Sequence, residues 1–244
     1  MSKLKVSTRE IGTVCVFDLQ GSPTQETLQE VAWKIQRNIR RHRLQRVILN
    51  LQMIPTLDPL GLRKLLAACI RPQKSLIFGA SGSLVMILED TYIPQNVRIC
   101  PSEKEVAEDF GPFLLEHEKD KEFEAKSVES ALGNDVEKRR SKRMHVALPI
   151  EIDFEGADGL PIRTRAIATN ISEGGLFAEY LDLAVAMKLE SLDSELQDKE
   201  VAIHIFPSAN FPEEYELRGQ IKRKELHRKQ FGLAVEFLGD LKAS

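Results

Sequence analysis

The basic cluster EKRRSKR, residues 137–143, is the segment of this sequence that is best suited to bind an anion. Five of its seven residues are basic: Lys138, Arg139, Arg140, Lys142 and Arg143. Arginine side chains recognise phosphate oxygens and the O6/N7 edge of guanine through paired donors. The cluster follows an acidic segment and precedes a strand-like run. Three interpretations are therefore open: a site for an anionic ligand, the solvated end of a linker, or a nucleic-acid patch.

A polar turn, NISEGG at residues 170–175, supplies groups that complement those cations. Asn170 and Ser172 place an amide and a hydroxyl on a stiff turn. Gly174 and Gly175 are expected to take positive φ and to let a ligand approach the backbone closely. By itself this motif predicts only a turn between strands. After Arg-x-x-x-Arg at 139–143, it predicts a rigid rim suited to a compact guanine nucleotide with two phosphates.

The composition restricts the classes of partner. The 244 residues carry a formal charge of −3 and a pI near 6.0, so anion binding must be local. The basic cluster has no interleaved aromatic residues, which makes nucleic-acid binding the least favoured of its three interpretations. No stretch approaches the roughly 18 apolar residues of a membrane span, and the N-terminus lacks the apolar core of a signal peptide. We therefore expect neither a nucleic-acid nor a membrane partner.

The positions of cysteine and histidine predict neither a metal site nor a catalytic centre. Cys15, Cys69 and Cys100 are far apart in apolar runs, which predicts buried thiols and a reducing, cytoplasmic location. No histidine has the closely spaced neighbours that a zinc site needs. The sequence indicates no Ser/His/Asp or Cys/His set and no Gly-rich phosphate loop. We therefore expect no cofactor and no enzymatic activity.

Alternating strand and helix patterns occupy the first half of the chain. Apolar runs predict strands, helical spacing of apolar residues predicts helices, and Ser22 or Thr24 is expected to cap the first helix. Asp58 is a favourable cap for the second helix, with Pro59 in its first position. The pattern predicts an α/β layer with a largely parallel sheet. The predicted strands are 13–19, 46–52, 75–80 and 96–100, and the predicted helices are 22–42, 58–70, 83–90 and 102–118.

The second half has the period-two rhythm of β-structure. Its apolar residues alternate with polar ones in segments separated by turn-rich loops, which predicts an antiparallel barrel or sandwich. The predicted strands are 144–154, 161–169, 200–206, 215–223 and 231–237. Between the halves lies a charged segment with few large apolar residues. The predicted organisation is an α/β domain at 1–116, a charged linker at 117–137 and an all-β domain at 138–244.

The second half resembles a PilZ domain, the bacterial receptor module for cyclic di-GMP. The family pattern is RxxxR, then D/NxSxxG at the end of a barrel strand, then a late glycine-led strand; here these are RRSKR, NISEGG and FGLAVEF. The resemblance implies an antiparallel β-barrel. It also implies that Arg139 and Arg143 bind phosphate and guanine, that Asn170 and Ser172 contact the base, and that Gly175 shapes the turn. Further contacts are expected from Lys138, Arg140 and Gly174.

The first half resembles a STAS domain, the fold of anti-sigma-factor antagonists. The similarity covers residues 3–116 and includes VILNLQMIPTLDPLGLRKLL at 47–66. In those antagonists the loop usually reads Asp-Ser-Ser/Thr-Gly, and the first Ser is phosphorylated. Here it reads Asp58-Pro59-Leu60-Gly61, and Pro59 has no hydroxyl. The resemblance implies a protein partner, unidentified, that contacts Asp58, Leu60 and Gly61.

Together the two resemblances predict a non-enzymatic, cytoplasmic bacterial signalling protein. Cyclic di-GMP binds the PilZ-like domain and orders the linker, and the STAS-like domain delivers the output. Two alternatives remain open from the sequence. One is a protein-interaction adaptor whose PilZ-like half no longer responds to the nucleotide, and the other is an anti-sigma-factor antagonist with a non-phosphorylatable loop.

Overall fold

The structure is a computed structural model, and it divides into two compact units, 1–106 and 107–244. It describes residues 3–12, 14–80, 82–110, 143–156, 159–191, 196–208, 211–227 and 230–239. The predicted linker, 117–137, lies outside the described residues, and the predicted domain boundaries stay predictions. The fold class is confirmed, because an α/β sheet with helices is followed by a closed antiparallel β-barrel.

The first unit contains a five-stranded sheet in the order β1-β2-β3-β4-β5. Strands β2 to β5 are parallel, as predicted, and β1 runs antiparallel along the edge of β2. The strands are β1 (Lys5–Ile11), β2 (Val14–Gln20), β3 (Arg46–Met53), β4 (Lys74–Phe78) and β5 (Val97–Cys100). The helices are α1 (Gln25–His42), α2 (Pro59–Ala68), α3 (Gly82–Glu89) and α4, described over 103–110.

The helix caps fix where α1 and α2 begin. Of the two predicted caps for α1, the structure has Thr24, whose hydroxyl accepts a hydrogen bond from the Thr27 amide at 3.3 Å. Asp58 caps α2 as predicted, and its Oδ1 accepts from the Gly61 amide at 2.5 Å. Pro59 occupies the first turn, where its missing N–H costs no helical hydrogen bond. These contacts fix the residue at which the loop before α2 ends and the helix begins.

A buried polar cluster ties the edge strand β1 to the sheet. The Arg9 guanidinium donates to both carboxylate oxygens of Asp18, at 2.6 and 3.1 Å, and both side chains are almost fully buried. The Asn50 amide donates to the same carboxylate at 2.8 Å. Removing one partner of such a pair leaves an uncompensated buried charge, at a typical cost of about 3–5 kcal/mol.

The second unit is a barrel of six strands in the order β10-β11-β8-β7-β6-β9, which decides between the predicted barrel and sandwich. All of its pairings are antiparallel. The strands are β6 (Met144–Glu155), β7 (Pro161–Ser172), β8 (Gly175–Glu179), β9 (Glu200–Ile205), β10 (Tyr215–His227) and β11 (Gln230–Phe237), and helix α5 spans Leu183–Ser191. The core contains inward-facing apolar side chains from all six strands.

Strands β1 and β8 and helix α5 were not predicted. In each of them the hydrophobic periodicity is weak for a physical reason. In β1 the apolar positions are sparse, because the strand lies at the edge and most of its side chains are exposed. In β8 nearly every residue is buried, so the period-two alternation is lost. Helix α5 has no marked polar face in its first turns, LAVAM, so helical spacing does not stand out.

The cysteines are buried thiols, as predicted. Cys15, Cys69 and Cys100 are all buried. Burial raises the pKa of Cys69 to about 12, and burial together with the nearby Glu10 and Asp18 carboxylates raises the pKa of Cys15 to about 12. Since the thiolate is the reactive form, these two side chains are chemically inert near neutral pH.

Candidate functional site

The candidate site lies where β6 begins and β7 ends. The register pairs Met144 with Ile171 and His145 with Asn170. One step further along the same antiparallel register, Arg143 comes beside Ser172. The pairing therefore brings the second arginine of RxxxR next to the Asn and Ser of NISEGG, although the two motifs are far apart in the sequence.

Side-chain alternation puts the polar groups of this site on the outer face of the barrel. Ile171 is 3% exposed and belongs to the core, so its neighbours Asn170 and Ser172 face outward. His145 faces the same way because cross-strand partners share a face. Arg143, two residues before His145, is exposed on that side. Four polar side chains thus share one surface patch.

Two of these groups have binding capacity that the described residues do not use. No described residue forms an ion pair with Arg143, and no described residue forms a hydrogen bond with the Asn170 side chain. Ser172 Oγ donates to the Gly175 carbonyl at 3.3 Å, which closes the turn, and the hydroxyl oxygen can still accept a hydrogen bond. The patch offers a guanidinium, an amide and a hydroxyl to a ligand.

His145 is a candidate site residue that the sequence analysis missed. It is half-buried beside Asn170, and burial lowers its pKa. It is therefore neutral at physiological pH and has both a donor and an acceptor nitrogen. The period-two pattern of 144–154 indicates only that His145 faces away from the core side of its strand, and the pairing of β6 with β7 was needed to bring it beside Asn170.

The expectation of positive φ at Gly174 and Gly175 is wrong. Neither residue is among those with positive φ in the described chain. The reason for a glycine at 175 is instead close approach, since a Cβ there would collide with the carbonyl oxygen of Val235 on β11. The Phe237 amide also donates to the Gly174 carbonyl at 3.0 Å. The turn is held against β11, which gives Ser172 and Asn170 a fixed base.

An acidic side chain borders the patch and is neutralised within the barrel. Glu236 pairs with Gly175 in the β8–β11 register, and therefore lies on the outer face near Ser172. Its carboxylate is 3.2 Å from the Lys222 ammonium, and the hydrogen bond raises the pKa of Lys222. The ion pair reduces the repulsion that Glu236 would otherwise exert on an anionic ligand.

Lys138, Arg139 and Arg140, the other predicted ligand contacts, lie outside the described residues. Their contacts therefore stay predictions. Arg163 and Arg165, which share a face of β7, bind acidic residues of β6: Arg163 Nη2 is 2.8 Å from Asp153 Oδ2, and Arg165 Nε is 3.5 Å from Glu151 Oε2. Both guanidinium charges are therefore paired with carboxylates of the barrel.

Two of the three residues predicted to contact a protein partner are exposed on the first unit. Leu60 is 50% exposed and Asp58 is also accessible. Gly61 is buried, and a Cβ there would collide with the Leu28 side chain. Gly61 therefore allows α2 to pack closely against the Leu28 side chain of α1, and a partner would reach the neighbours of Gly61 instead.

The described residues contain no group of three or more His, Cys, Asp or Glu side chains that could hold a metal ion. No helix within the described ranges is long and apolar enough to cross a membrane.

No protein-family model matches the chain, and no curated protein matches it in sequence. Similar solved structures include the PilZ domain with c-di-GMP of YcgR from Escherichia coli, at 20% identity over 42% of this chain and 79% of that chain, with a TM-score of 0.28. The unphosphorylated anti-sigma factor antagonist SpoIIAA matches at 16% identity over 42% of this chain and 92% of that chain, with a TM-score of 0.31. The Bacillus subtilis inhibitor of motility MotI matches at 15% identity over 44% of this chain, with a TM-score of 0.32, and the match spans 45% of MotI. Both kinds of domain that the sequence resembles are thus among the similar structures.

Replacing Gly175 by alanine is expected to destabilise the barrel by about 1–3 kcal/mol, because β11 must move to admit the new methyl group. Urea unfolding followed by circular dichroism measures the change. Gly82→Ala is the matched control, since a Cβ at 82 has open space around it. An unfolding midpoint for Gly175→Ala equal to that of wild type would contradict the close approach.

Acidification is expected to destabilise the barrel through His145. Because burial lowers the pKa of His145 in the folded state, the unfolded chain binds the proton first. This contribution to stability is fully present above the ordinary histidine pKa of about 6.5 and is lost as the pH falls towards the folded-state value. The urea midpoint of His145→Gln should therefore change less between about pH 5 and pH 7 than that of wild type. Identical pH profiles would show that His145 is not desolvated.

Proposed function

We propose that the second unit is a receptor for cyclic di-GMP and that the protein acts by binding and signalling, without catalysis. The observation that carries the proposal is the β6–β7 register, which puts Arg143, Asn170 and Ser172 on one outer patch. The ligand class comes from the resemblance of RRSKR and NISEGG to the PilZ pattern. A ligand with two phosphates and two guanines matches the chemistry of these side chains.

Each side chain of the patch has a distinct role in this proposal. The Arg143 guanidinium donates to a phosphate or to guanine O6 and N7, and Arg139 does the same from four residues earlier. The Asn170 amide oxygen accepts from a guanine N–H, and the Ser172 hydroxyl contacts the base. Lys138 and Arg140 add phosphate contacts. Glycine at 174 and 175 keeps the turn free of side chains that would cover the base.

Asn170 sets an upper limit on the strength of base recognition. An amide has one acceptor oxygen, whereas the carboxylate of an aspartate can accept two guanine N–H bonds. Hydrogen bonds to charged groups typically contribute about 1.5–3 kcal/mol, against about 1 kcal/mol for neutral pairs. The affinity of this chain for the ligand is accordingly modest for its motif.

We further infer that ligand binding is relayed to the first unit through residues 139–143. The arginines of RxxxR immediately precede β6, so their closure on the ligand holds the segment that leads into the barrel. The first unit would then present the exposed Asp58 and Leu60 to a protein partner. Because Pro59 has no hydroxyl, ligand binding takes the place of phosphorylation at that position as the control input.

The alternative is a protein-interaction adaptor that does not respond to nucleotide. Two observations favour it: the amide rather than a carboxylate at 170, and the loop that combines Pro59 with a half-exposed Leu60. The second alternative is an anti-sigma-factor antagonist that Pro59 locks in an unphosphorylated-like form. Titration with cyclic di-GMP separates both alternatives from the receptor.

Isothermal titration calorimetry with cyclic di-GMP is expected to show binding that Arg143→Ala weakens by at least about tenfold, a loss of about 1.4 kcal/mol or more. Asn170→Asp should strengthen binding by about tenfold, because the second acceptor oxygen is added. Arg163→Ala is the matched control: it removes the same charge from an arginine that is paired with Asp153. No binding by wild type, or equal losses in Arg143→Ala and Arg163→Ala, would exclude this receptor site.

Cyclic di-GMP is expected to change the distance distribution between the two units. Spin labels on Ala67→Cys in α2 and Leu160→Cys in the barrel report this distance, since both positions are exposed and the natural thiols are buried. The same labels on an Arg139→Ala/Arg143→Ala background should show no ligand effect. Identical distributions for the labelled protein at zero and saturating ligand would rule out the relay while leaving binding intact.

A further inference from the structure

The surface between helix α1 and the edge strand β1 forms a groove that the cyclic di-GMP site does not explain. The groove is lined by Val6, Thr8 and Phe17 from the sheet and by Lys34, Arg37 and Arg41 from the helix, and it has a volume of about 360 Å³. Its floor is apolar and its helical wall is basic. We refer to these six residues as the α1–β1 groove.

The basic wall carries charges that the described part of the chain does not neutralise. Lys34, Arg37 and Arg41 are exposed, and no described residue forms an ion pair with them. A basic residue in the last turn, such as Arg41, is explained by the negative end of the helix dipole. That effect falls off within one turn, so it does not involve Lys34 and Arg37. Their exposed charges are available to an anionic partner.

Trp33 stands at the rim of this groove and is also exposed. More than half of its surface, 55%, is accessible, and the Arg37 guanidinium lies over its ring at 5.2 Å. The contact holds Arg37 above the groove and covers one face of the indole. A large exposed aromatic side chain next to arginine is typical of the residues that dominate protein–protein binding energies.

The sheet side of the groove is an open edge. In the described sheet β1 pairs with β2 and has no partner on its other side, so one row of its backbone N–H and C=O groups faces outward. An extended segment can add to such an edge through main-chain hydrogen bonds, with alternate side chains directed to one face. The adjoining Val6 and Thr8 would receive those side chains.

We propose that the α1–β1 groove binds an extended acidic segment of a protein partner. The segment pairs with β1, places apolar side chains over Val6 and Phe17, and places carboxylates against Lys34, Arg37 and Arg41. Nucleic acid fits less well, because the path from Trp33 to Arg41 is only about 12 Å long at 1.5 Å per helical residue. One face of Trp33 is moreover covered by Arg37, and an open strand edge offers main-chain pairing that a nucleic acid does not use. This proposal does not depend on cyclic di-GMP binding.

The test uses the full chain and a fluorescein-labelled peptide of two Glu-Thr-Leu-Thr repeats, whose alternate residues put both Glu and Leu on the face directed to the groove. We expect the peptide to bind, and we expect Trp33 fluorescence to change with it, since Trp33 is the one tryptophan of the chain. Arg37→Gln/Arg41→Gln should weaken binding at least tenfold. The control Arg63→Gln/Lys104→Gln, which removes two exposed charges elsewhere in the same unit, should leave it unchanged.

Two further probes decide the chemistry of the partner. A peptide N-methylated at alternate residues should bind more weakly, because it cannot complete the strand pairing with β1. An unlabelled dT12 oligonucleotide should compete poorly. Absence of peptide binding, equal losses in both double variants, or tighter binding of dT12 than of the peptide would each overturn the proposal.

Discussion

The antiparallel register between β6 and β7 is the constraint on which the candidate site depends. A slip of one residue would turn Asn170 and Ser172 into the core and Ile171 out to solvent. Ala168 and Ile171 both face the core although they are three residues apart, which a regular strand does not allow. In the pairing with β8, Thr169 is an extra residue between Ala168 and Asn170. It shifts the inward–outward alternation by one position, so that Asn170 and Ser172 face outward.

In each unit, a glycine at a point of close packing positions the loop that carries the candidate site residues. Gly175 lets β8 approach the Val235 carbonyl and fixes the turn that carries Ser172. Gly61 lets α2 approach Leu28, which leaves Leu60 exposed at the start of the helix. From the sequence, Gly175 was predicted to shape its turn and Gly61 was predicted to be a partner contact. Their role in the structure is to position the neighbours that make the contacts.

Sequence patterns predicted the parts of the fold where local and tertiary preferences agree. Caps such as Asp58, the buried parallel strand β3 and the alternating strand β6 have signals that depend on neighbouring residues alone. The pairing partner of β1 and the backbone angles of Gly174 depend on contacts far away in the chain, and they could not be predicted. The position of His145 beside Asn170 needed the register, since a side chain on one strand has no sequence relation to the strand opposite. The sequence thus predicted which polar residues belong to the candidate site, but it could not predict how many side chains share the patch or how they are oriented.

The length of the connecting chain limits how the proposed relay can work. Residues 111–142 join helix α4 to the start of the barrel, and RxxxR, at 139–143, lies at the end of that stretch. Holding residues 139–142 against the barrel shortens the maximal reach of that path by only about 13 Å, at about 3.3 Å per residue. In the proposed relay, holding RxxxR would also fix the direction in which the chain leaves the barrel, and a partner surface such as Leu60 would respond because it must face its partner to bind.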